Sequence, residues 1–213
     1  MKRKTFLRWG GAVIGVAALG PALTACGGGD EPALVASGTL SPEEIEGLFY
    51  MREEEKLAHD VYAALYARWG AQVFGNIIPS EAQHTEAIRL RILAHGLIDP
   101  AAGTGEGVFV NAELQQLYND LVSMGRPSLV AALKVGCLIE EKDIWDIEQK
   151  KLQVQDEADL ITVYDNLLCG SRNHLRAFHR ALVAAGGAYD QPQYLSVAQW
   201  EAIAGSAQER CGP

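Results

Sequence analysis

The feature that most constrains the fold of this chain is an internal repeat. The segment EEKLAHDVY, which starts at Glu54, matches EEKDIWDIE, which starts at Glu140. The segment SEAQHTEAIRLRILAHG, from Ser80, matches GSRNHLRAFHRALVAAG, from Gly170. The two offsets are 86 and 90 residues, so both matches keep the same order and nearly the same spacing. Such self-similarity is typical of one supersecondary unit used twice, and it predicts two copies of one helical hairpin.

Apolar residues in these segments recur three and four positions apart, which is the period of a helix with one buried face. The sequence Ser41-Pro42-Glu43-Glu44 has the capping residues of a helix start. The predicted main helices cover about 41–69, 79–96, 128–153 and 156–186. A Gly-rich loop and the shorter helical segment AELQQLYNDLVSMG connect the second helix to the third, and a short helix follows Ser196. Without sustained period-two alternation, the predicted class is all-α, a four-helix bundle with a long central crossover.

The N-terminal segment MKRKTFLRWGGAVIGVAALGPALTAC has the organisation of an export signal. A basic stretch precedes an apolar run from Trp9 to Ala25. Its end, Leu-Thr-Ala-Cys, resembles the lipobox of bacterial lipoproteins, which predicts a signal peptide over 1–25 and lipid attachment at Cys26. The alternative is a membrane anchor, but the run is shorter than the ~20 residues of a spanning helix. RKTFLR resembles a twin-arginine signal with one Arg replaced by Lys, so the export route stays open.

The rest of the chain divides by composition. Residues 26–39 are rich in Gly and other small residues and predict a flexible tether. We assign 40–194 to the helical bundle and 195–213 to a tail containing the short helix. The net charge is −9. Without the four basic residues of the export signal, the chain has 14 basic and 27 acidic residues. Such an acidic chain argues against nucleic acid as a partner. The predicted location is the bacterial cell envelope, with the lipid as membrane anchor.

Carboxylates and imidazoles are spaced in a pattern that suits a metal ion. Glu81 and His84 lie three residues apart, on one face of a helix. His84 has the repeat partner His174, and Glu55 interrupts the apolar stripe of the first helix. The repeat pairs Glu55 with Glu141. The predicted metal ligands are therefore Glu55, Glu81, His84, Glu141 and His174, a set that suits iron or manganese and, less selectively, zinc.

Two alternatives remain open in this ligand set. Glu54 competes with Glu55, and Glu140 competes with Glu141 because the apolar stripe of the third helix places Glu140 in better register. Each residue also has an ordinary structural interpretation: the acidic run on the first helix as a solvated face, and a single histidine as a core or surface residue.

Other polar residues of the repeat have weaker assignments. Asp60 and Asp146 are a repeat pair, which suggests carboxylates that orient ligating imidazoles, although ordinary helix-surface charge explains them equally well. The histidines without a repeat partner are assigned no metal role, and His59 is the one best placed to support a ligand. The other two are His95 and His179.

With these residues in view, the chain resembles the ferritin-like superfamily, and in particular a bacterial and archaeal domain family of unknown function within it. The resemblance covers about Leu40 to Tyr194. Its segments are REEEKLAHDVYAALYARWG, NIIPSEAQHTEAI, LQQLYNDLV, SLVAALKVGCLIEEKDI and NLLCGSRNHLRAF. It implies a bundle of two hairpins holding two metal ions. EKLAHDVY also resembles the first metal helix of rubrerythrins, in which a Glu stands seven residues before a Tyr, and this favours Glu55 over Glu54.

The chain departs from that family at one position. A symmetric di-iron site contains ExxH twice, but the second copy here reads Ser171-Arg172-Asn173-His174. Because Ser171 replaces a carboxylate, we expect a site that is asymmetric, mononuclear or completed by another carboxylate such as Glu148.

The bundle that the resemblance implies also bears on the cysteines. With Cys26 lipidated, three remain. If the third and fourth helices are antiparallel with Glu141 level with His174, Cys137 and Cys169 lie about 13 Å apart at 1.5 Å per residue. This exceeds disulfide reach. The expected pair is Cys169 with Cys211, leaving Cys137 as a buried thiol.

The leading functional hypothesis is an exported, lipid-anchored metal-binding protein with a di-iron or mononuclear iron site. An oxidoreductase activity on oxygen, peroxide or ferrous iron would extend it. The alternative is a non-enzymatic scaffold of the cell envelope that binds a protein partner and has a degenerate metal site, and metal storage ranks last. Expected partners are metal ions and the membrane, with a homodimer as the alternative to a single chain.

Overall fold

The computed structural model describes residues 39–212, which form a helical bundle. Within this range there are six α-helices and no strand: α1 Pro42–Trp69, α2 Gln72–Ala94, α3 Ala112–Gly125, α4 Leu129–Lys151, α5 Ala158–Ala184 and α6 Val197–Ala204. The predicted all-helical class is confirmed. None of these helices is long and apolar enough to cross a membrane. The predicted signal peptide, the lipidation site Cys26 and nearly all of the tether lie outside the described residues.

The ends of α1 are encoded locally. The Ser41 hydroxyl accepts a hydrogen bond from the Glu44 backbone amide, and the Glu44 carboxylate accepts one from the Ser41 amide, which completes a capping box. At the other end, Gly70 adopts a left-handed conformation with φ 61°, which favours glycine and stops the helix. Both ends agree with the sequence-based boundaries.

The predicted start of α2 near Pro79 is wrong, because the helix begins at Gln72 and contains Pro79 in its interior. A proline inside a helix costs about 3 kcal/mol. The turns before it are nevertheless helical because they bury Phe74 and Ile77 in the core. Phe74 lies between two further buried rings, with centroid distances of 5.8 Å to Tyr62 and 5.2 Å to Phe178. Tertiary burial therefore outweighs the local breaker.

The four long helices surround one core. α1 packs along α2 and α4 packs along α5, while α2 also contacts α5 and α1 contacts α4. α3 lies against α1 and α4, and α6 lies against α5. Because all four long helices contact neighbours on more than one side, each has a buried face that can present polar side chains to the centre of the bundle.

The connection between α2 and α3 is held by charged residues of α1. Arg52 forms a buried ion pair with Asp99, 3.0 Å between Nη2 and Oδ2. The Glu53 carboxylate accepts hydrogen bonds from the backbone amides of Val110 and Asn111, at 2.5 and 2.9 Å. Glu53 is therefore a buried loop anchor and not part of a solvated face.

The C-terminal tail is fastened to α5. A disulfide joins Cys169 to Cys211, and Cys137 is a buried free thiol, so the expected pairing is confirmed. Next to the disulfide, the Glu209 carboxylate accepts hydrogen bonds from the guanidinium groups of Arg172 and Arg176, at 2.5 and 2.6 Å for the shortest. The tail is thus held by one covalent link and by charged contacts.

Candidate metal centre

Side chains from all four long helices meet in the middle of the bundle. Glu55 comes from α1, Glu81 and His84 from α2, Glu140 from α4 and His174 from α5. All five residues are at most 9% exposed, and Glu55 has no exposed surface. Carboxylates are rarely buried to this degree without a charged partner. Their joint burial on facing helices therefore marks a built polar site, which we call the central cluster.

The distances within the central cluster link its members into a chain. His84 Nδ1 lies 3.2 Å from Glu55 Oε2 and 3.2 Å from Glu81 Oε2. His174 Nδ1 lies 2.8 Å from Glu81 Oε1 and 3.6 Å from Glu140 Oε2. One ligand atom each from Glu81, His84 and His174 falls within 4.8 Å of the others. Glu81 lies between the two imidazoles, and both rings turn Nδ1 towards it.

Several inward-facing atoms of the central cluster make no hydrogen bond to any described residue. They are Glu55 Oε1, Glu81 Oε1 and His174 Nδ1. Glu81 Oε1 and His174 Nδ1 are close, but they do not meet at an angle that forms a hydrogen bond. An unsatisfied buried polar group costs about 1–3 kcal/mol, and more when it is charged. Of the three atoms, Glu81 Oε1 and His174 Nδ1 form an ion pair with each other, and Glu55 Oε1 has no hydrogen-bond partner; carboxylate and imidazole atoms gathered in this way are suited to hold a cation.

The pKa values in the central cluster are shifted by burial and by mutual charge. Burial raises the pKa of Glu55, and it raises the pKa of Glu140 to about 7. Burial alone would raise the pKa of Glu81, but the imidazoles of His174 and His84 outweigh burial and lower the pKa of this carboxyl group. Burial disfavours the charged form of both histidines, yet the carboxylates prevail and raise the pKa of His174 to about 10 and that of His84 well above its ordinary value. Positive charge on the two imidazoles offsets part of the negative charge of the three carboxylates.

The structure does not bring Glu141 to the central cluster, and its neighbour Glu140 lies there instead. The Glu141 carboxylate accepts hydrogen bonds from Tyr189 Oη at 2.6 Å and from the backbone amides of Tyr194 and Leu195 at 2.6 and 2.8 Å. Glu141 therefore anchors the tail. The repeat alignment misassigned the register here, because the inward face of α4 is set by its apolar stripe, which contains Glu140.

On α1, Glu55 rather than Glu54 lies in the central cluster. The alternative, Glu54, instead binds the ammonium group of Lys142. Lys142 also binds Asp146 and contacts no residue of the central cluster in these ion pairs. Burial raises the pKa of Glu54 to about 8, against the lowering effect of Lys142. Glu54 and Lys142 form a separate buried pair beside the cluster.

Ser171, the residue at which the chain departs from the family pattern, has a carboxylate partner that was not predicted from the sequence. The Ser171 hydroxyl donates a hydrogen bond to Asp143 Oδ2, and the other oxygen, Asp143 Oδ1, is buried without a hydrogen-bond partner among the described residues. The charges of Glu55 and Glu140 contribute, after burial, to raising the pKa of Asp143 well above its usual range. Asp143 lies three residues after Glu140, on the same face of α4. Its spacing of three from Glu140 was the available signal. Glu148, the carboxylate considered for this role, is exposed.

Neighbouring groups hold the cluster side chains in place. Tyr62 Oη donates to Glu140 Oε1 at 2.5 Å, and Ser80 Oγ lies 3.0 Å from His174 Nε2. Gly170 allows α5 to approach α2, because a Cβ atom there would lie 2.5 Å from His84 Nε2. These contacts hold the His174 ring and the Glu140 carboxylate, and Gly170 leaves space for the His84 ring.

The remaining polar predictions have other partners. Asp60 binds His59, Lys56 and the Gly107 amide, and Asp146 binds Lys142, so neither orients a cluster histidine. This corrects the interpretation of the pair as imidazole-orienting carboxylates. His59 likewise pairs with Asp60 rather than with a cluster residue.

Comparisons of sequence and of structure match most of this chain to uncharacterized proteins. The sequence profile of the family described as "Uncharacterized protein domain (DUF2202)" matches residues 44–207. The uncharacterized protein MJ0754 of Methanocaldococcus jannaschii is 47% identical over 171 residues, which cover 80% of this chain and 91% of that protein. The crystal structure of hypothetical protein MJ0754 from Methanococcus jannaschii matches with a TM-score of 0.79 at 44% identity, covering 82% of this chain and 99% of the other. The fold described above is therefore similar to one seen by crystallography.

Proposed function

The chain belongs to the DUF2202 domain family, and we propose that it is a ferritin-like metal-binding protein whose central cluster holds iron or manganese. In this proposal the two helix pairs, α1 with α2 and α4 with α5, are the two hairpins of a ferritin-like bundle. The internal repeat supports that assignment, because each pair contains one acidic segment followed by one histidine segment.

One observation carries the proposal: buried carboxylate and imidazole atoms from four helices face one centre, and several of them have no hydrogen-bond partner. A cation would satisfy them. The proposed ligands are Glu55, Glu81, His84, Glu140 and His174, with Glu140 in place of Glu141. Oxygen ligands mixed with imidazole nitrogen suit iron and manganese, and zinc binds such a set less selectively.

In this proposal, Asp143 supplies the carboxylate that is missing at position Ser171. The proposed site then has four carboxylates and two imidazoles, which is sufficient for two ions, with Ser171 orienting Asp143 by a hydrogen bond. With Nδ1 of His174 as the ligand atom, Nε2 carries the ring proton and donates to Ser80 Oγ, which fixes the ring. The site is asymmetric because α4 supplies two carboxylates and α5 supplies only a histidine.

The bound metal would supply redox chemistry with oxygen, peroxide or ferrous iron as the substrate class. The residues of this chain would position the ions, and the buried surroundings would exclude bulk water. A non-enzymatic scaffold is the competing function, and the feature that favoured it, Ser171, is accounted for by Asp143. We retain from the sequence the proposal of export and of a lipid anchor on Cys26. Mass spectrometry of the chain from a bacterial membrane fraction tests that anchor.

Metal content and spectroscopy test the central proposal. The full-length chain, freed of metal and then loaded with ferrous iron or manganese, is expected to retain one to two ions per chain. Addition of oxygen to the ferrous form should produce a new near-ultraviolet absorbance. The variant Glu81→Gln should lose both properties, while Glu86→Gln, at an exposed position of the same helix, should keep them. Failure of the unmodified chain to retain iron or manganese refutes the proposal and supports the scaffold.

A further inference from the structure

A second group of metal-type ligands lies away from the central cluster, where α2 ends and α5 begins. It consists of His95, Glu157 and Asp159, and one ligand atom of each lies within 4.8 Å of the other two. His95 is eleven residues beyond His84, roughly 16 Å along α2 at 1.5 Å per residue. The group therefore shares no ligand with the central cluster. We call it the end cluster.

The side chains of the end cluster are already directed towards one another. His95 Nε2 lies 3.2 Å from Asp159 Oδ2. The other oxygen, Asp159 Oδ1, accepts a hydrogen bond from the Leu160 amide at 3.0 Å, which leaves Oδ2 as the outward ligand atom. The His95 side chain is only 3% exposed, whereas that of Asp159 is 29% exposed. The cluster is thus buried on one side and open to water on the other.

The observation that points to a ligand is the state of Glu157. This residue is 6% exposed, and its Oε2 makes no hydrogen bond to any described residue. Glu157 occupies the N-cap position of α5, and its side chain makes no capping hydrogen bond to the first turn of that helix. A buried carboxylate oxygen with neither a cap contact nor a hydrogen bond lacks the compensation that burial demands.

The ion pair that Arg91 forms beside the end cluster does not involve this oxygen. Arg91 Nη1 lies 3.5 Å from Asp159 Oδ2, so the guanidinium group pairs with the more exposed carboxylate. The positive end of the α5 dipole favours acidic groups nearby, but it supplies no direct partner to Glu157 Oε2. A small cation between Glu157, Asp159 and His95 would give the buried Glu157 carboxylate a positive partner and use the imidazole nitrogen as well.

We propose that the end cluster binds a divalent zinc-class ion through His95 Nε2, Asp159 Oδ2 and a Glu157 oxygen, with water on the open side. One imidazole and two carboxylates are a ligand set that zinc accepts. The ion links the C-terminal end of α2 to the N-terminal end of α5, and its role is structural. The inference does not depend on the central cluster.

The test uses the full-length chain with the central cluster disabled by Glu81→Gln and His84→Asn. After removal of metal, this background is titrated with Zn²⁺ and its bound zinc is measured by equilibrium dialysis. One zinc per chain is expected. Adding His95→Asn should weaken that binding on the order of 100-fold, since even outer-shell changes cost 10–100-fold. His59→Asn, which removes the half-buried histidine paired with Asp60, should leave it unchanged.

Two further measurements make the result decisive. At a zinc concentration 100 times the Kd, the melting temperature of the background should rise by roughly 5–10 °C, and Asp159→Asn should abolish the rise. Circular dichroism checks that each variant is folded, and Asp159→Asn decides the matter if His95→Asn does not fold. A zinc-soaked crystal should show anomalous density beside His95 Nε2. The proposal is overturned if the background retains no zinc, or if His95→Asn and His59→Asn bind it equally. Failure of the unmodified chain to bind iron would instead contradict only the proposal for the central cluster.

Discussion

Two adjacent glutamates on α4 allow a stringent test of the site, because the structure gives them opposite roles. Glu140 faces the central cluster, and Glu141 binds the tail through Tyr189, Tyr194 and Leu195. The perturbation is a pair of isosteric variants, Glu140→Gln and Glu141→Gln. Each removes one negative charge at nearly constant volume. The repeat alignment would have assigned their effects the other way round.

For Glu141→Gln the expected loss is one of stability. Hydrogen bonds to a charged group are each worth about 1.5–3 kcal/mol, and Glu141 accepts three of them. Glutamine keeps one acceptor oxygen, so we expect unfolding to become easier by about 2–4 kcal/mol. For a domain of this size that corresponds to a fall in melting temperature of roughly 5–15 °C. The affinity for metal should stay within about twofold of the unmodified chain, since no proposed ligand changes.

For Glu140→Gln the expected loss is one of metal affinity, on the order of 100-fold, because a direct ligand is removed. The metal-free protein should change in unfolding free energy by less than about 1 kcal/mol. Burial raises the pKa of Glu140 to about 7, so the native side chain is already partly neutral at neutral pH, and glutamine can still accept the hydrogen bond from Tyr62.

The assay compares manganese binding by equilibrium dialysis with thermal unfolding of the metal-free chain, followed by circular dichroism. We expect a crossed pattern: Glu140→Gln loses metal affinity but keeps its melting temperature, and Glu141→Gln keeps metal affinity but unfolds at a lower temperature. Equal loss of metal affinity in the two variants, or an unchanged melting temperature for Glu141→Gln, would refute the assignment of the two side chains.

Three further predictions concern the approach of helices and the tail. Gly170→Ala should lower metal affinity at least tenfold, because a Cβ atom 2.5 Å from His84 Nε2 forces the ring away. Helix propensity alone would make alanine favourable at this position, so equilibrium dialysis of manganese measures the effect of the steric contact on the site. Reduction of the Cys169–Cys211 disulfide, which closes a loop with a sequence separation of 42, should cost about 2–4 kcal/mol, and an unchanged melting temperature in reductant would contradict this. The hydrogen bond from Arg172 is the leading cause that lowers the pKa of Glu209 to about 2. The ionised Glu209 carboxylate therefore stabilises the fold fully above its unfolded pKa near 4.5, and this stabilisation is lost as the pH falls towards 2. After allowance for solvent screening we expect it to be about 1 kcal/mol, so Glu209→Gln should lose less stability than the unmodified chain in urea unfolding between pH 6 and 3.

The sequence alone determined the helices whose ends and faces are encoded locally. The capping box at Ser41 and the glycine after Trp69 set α1, and the three- and four-residue period of apolar positions identified the bundle. The same reasoning selected Glu55, Glu81, His84 and His174, because a histidine that recurs in a repeat and a carboxylate inside an apolar stripe are unusual in ordinary helices. The Cys169–Cys211 pair also followed once the helices were taken as antiparallel.

Only the tertiary structure decided the features that depend on contacts between distant segments. The choice of Glu140 over Glu141 rests on a rotation of α4 by one residue, about 100°, which an approximate repeat cannot resolve. The interior position of Pro79 depends on the burial of Phe74 against Tyr62 and Phe178, an energy that no local propensity contains. Asp143 and the end cluster at His95 lack a repeat partner. The spacing of Asp143 from Glu140 places both on one face of α4, but the groups that Asp143 and His95 contact depend on how helices far apart in the chain pack together.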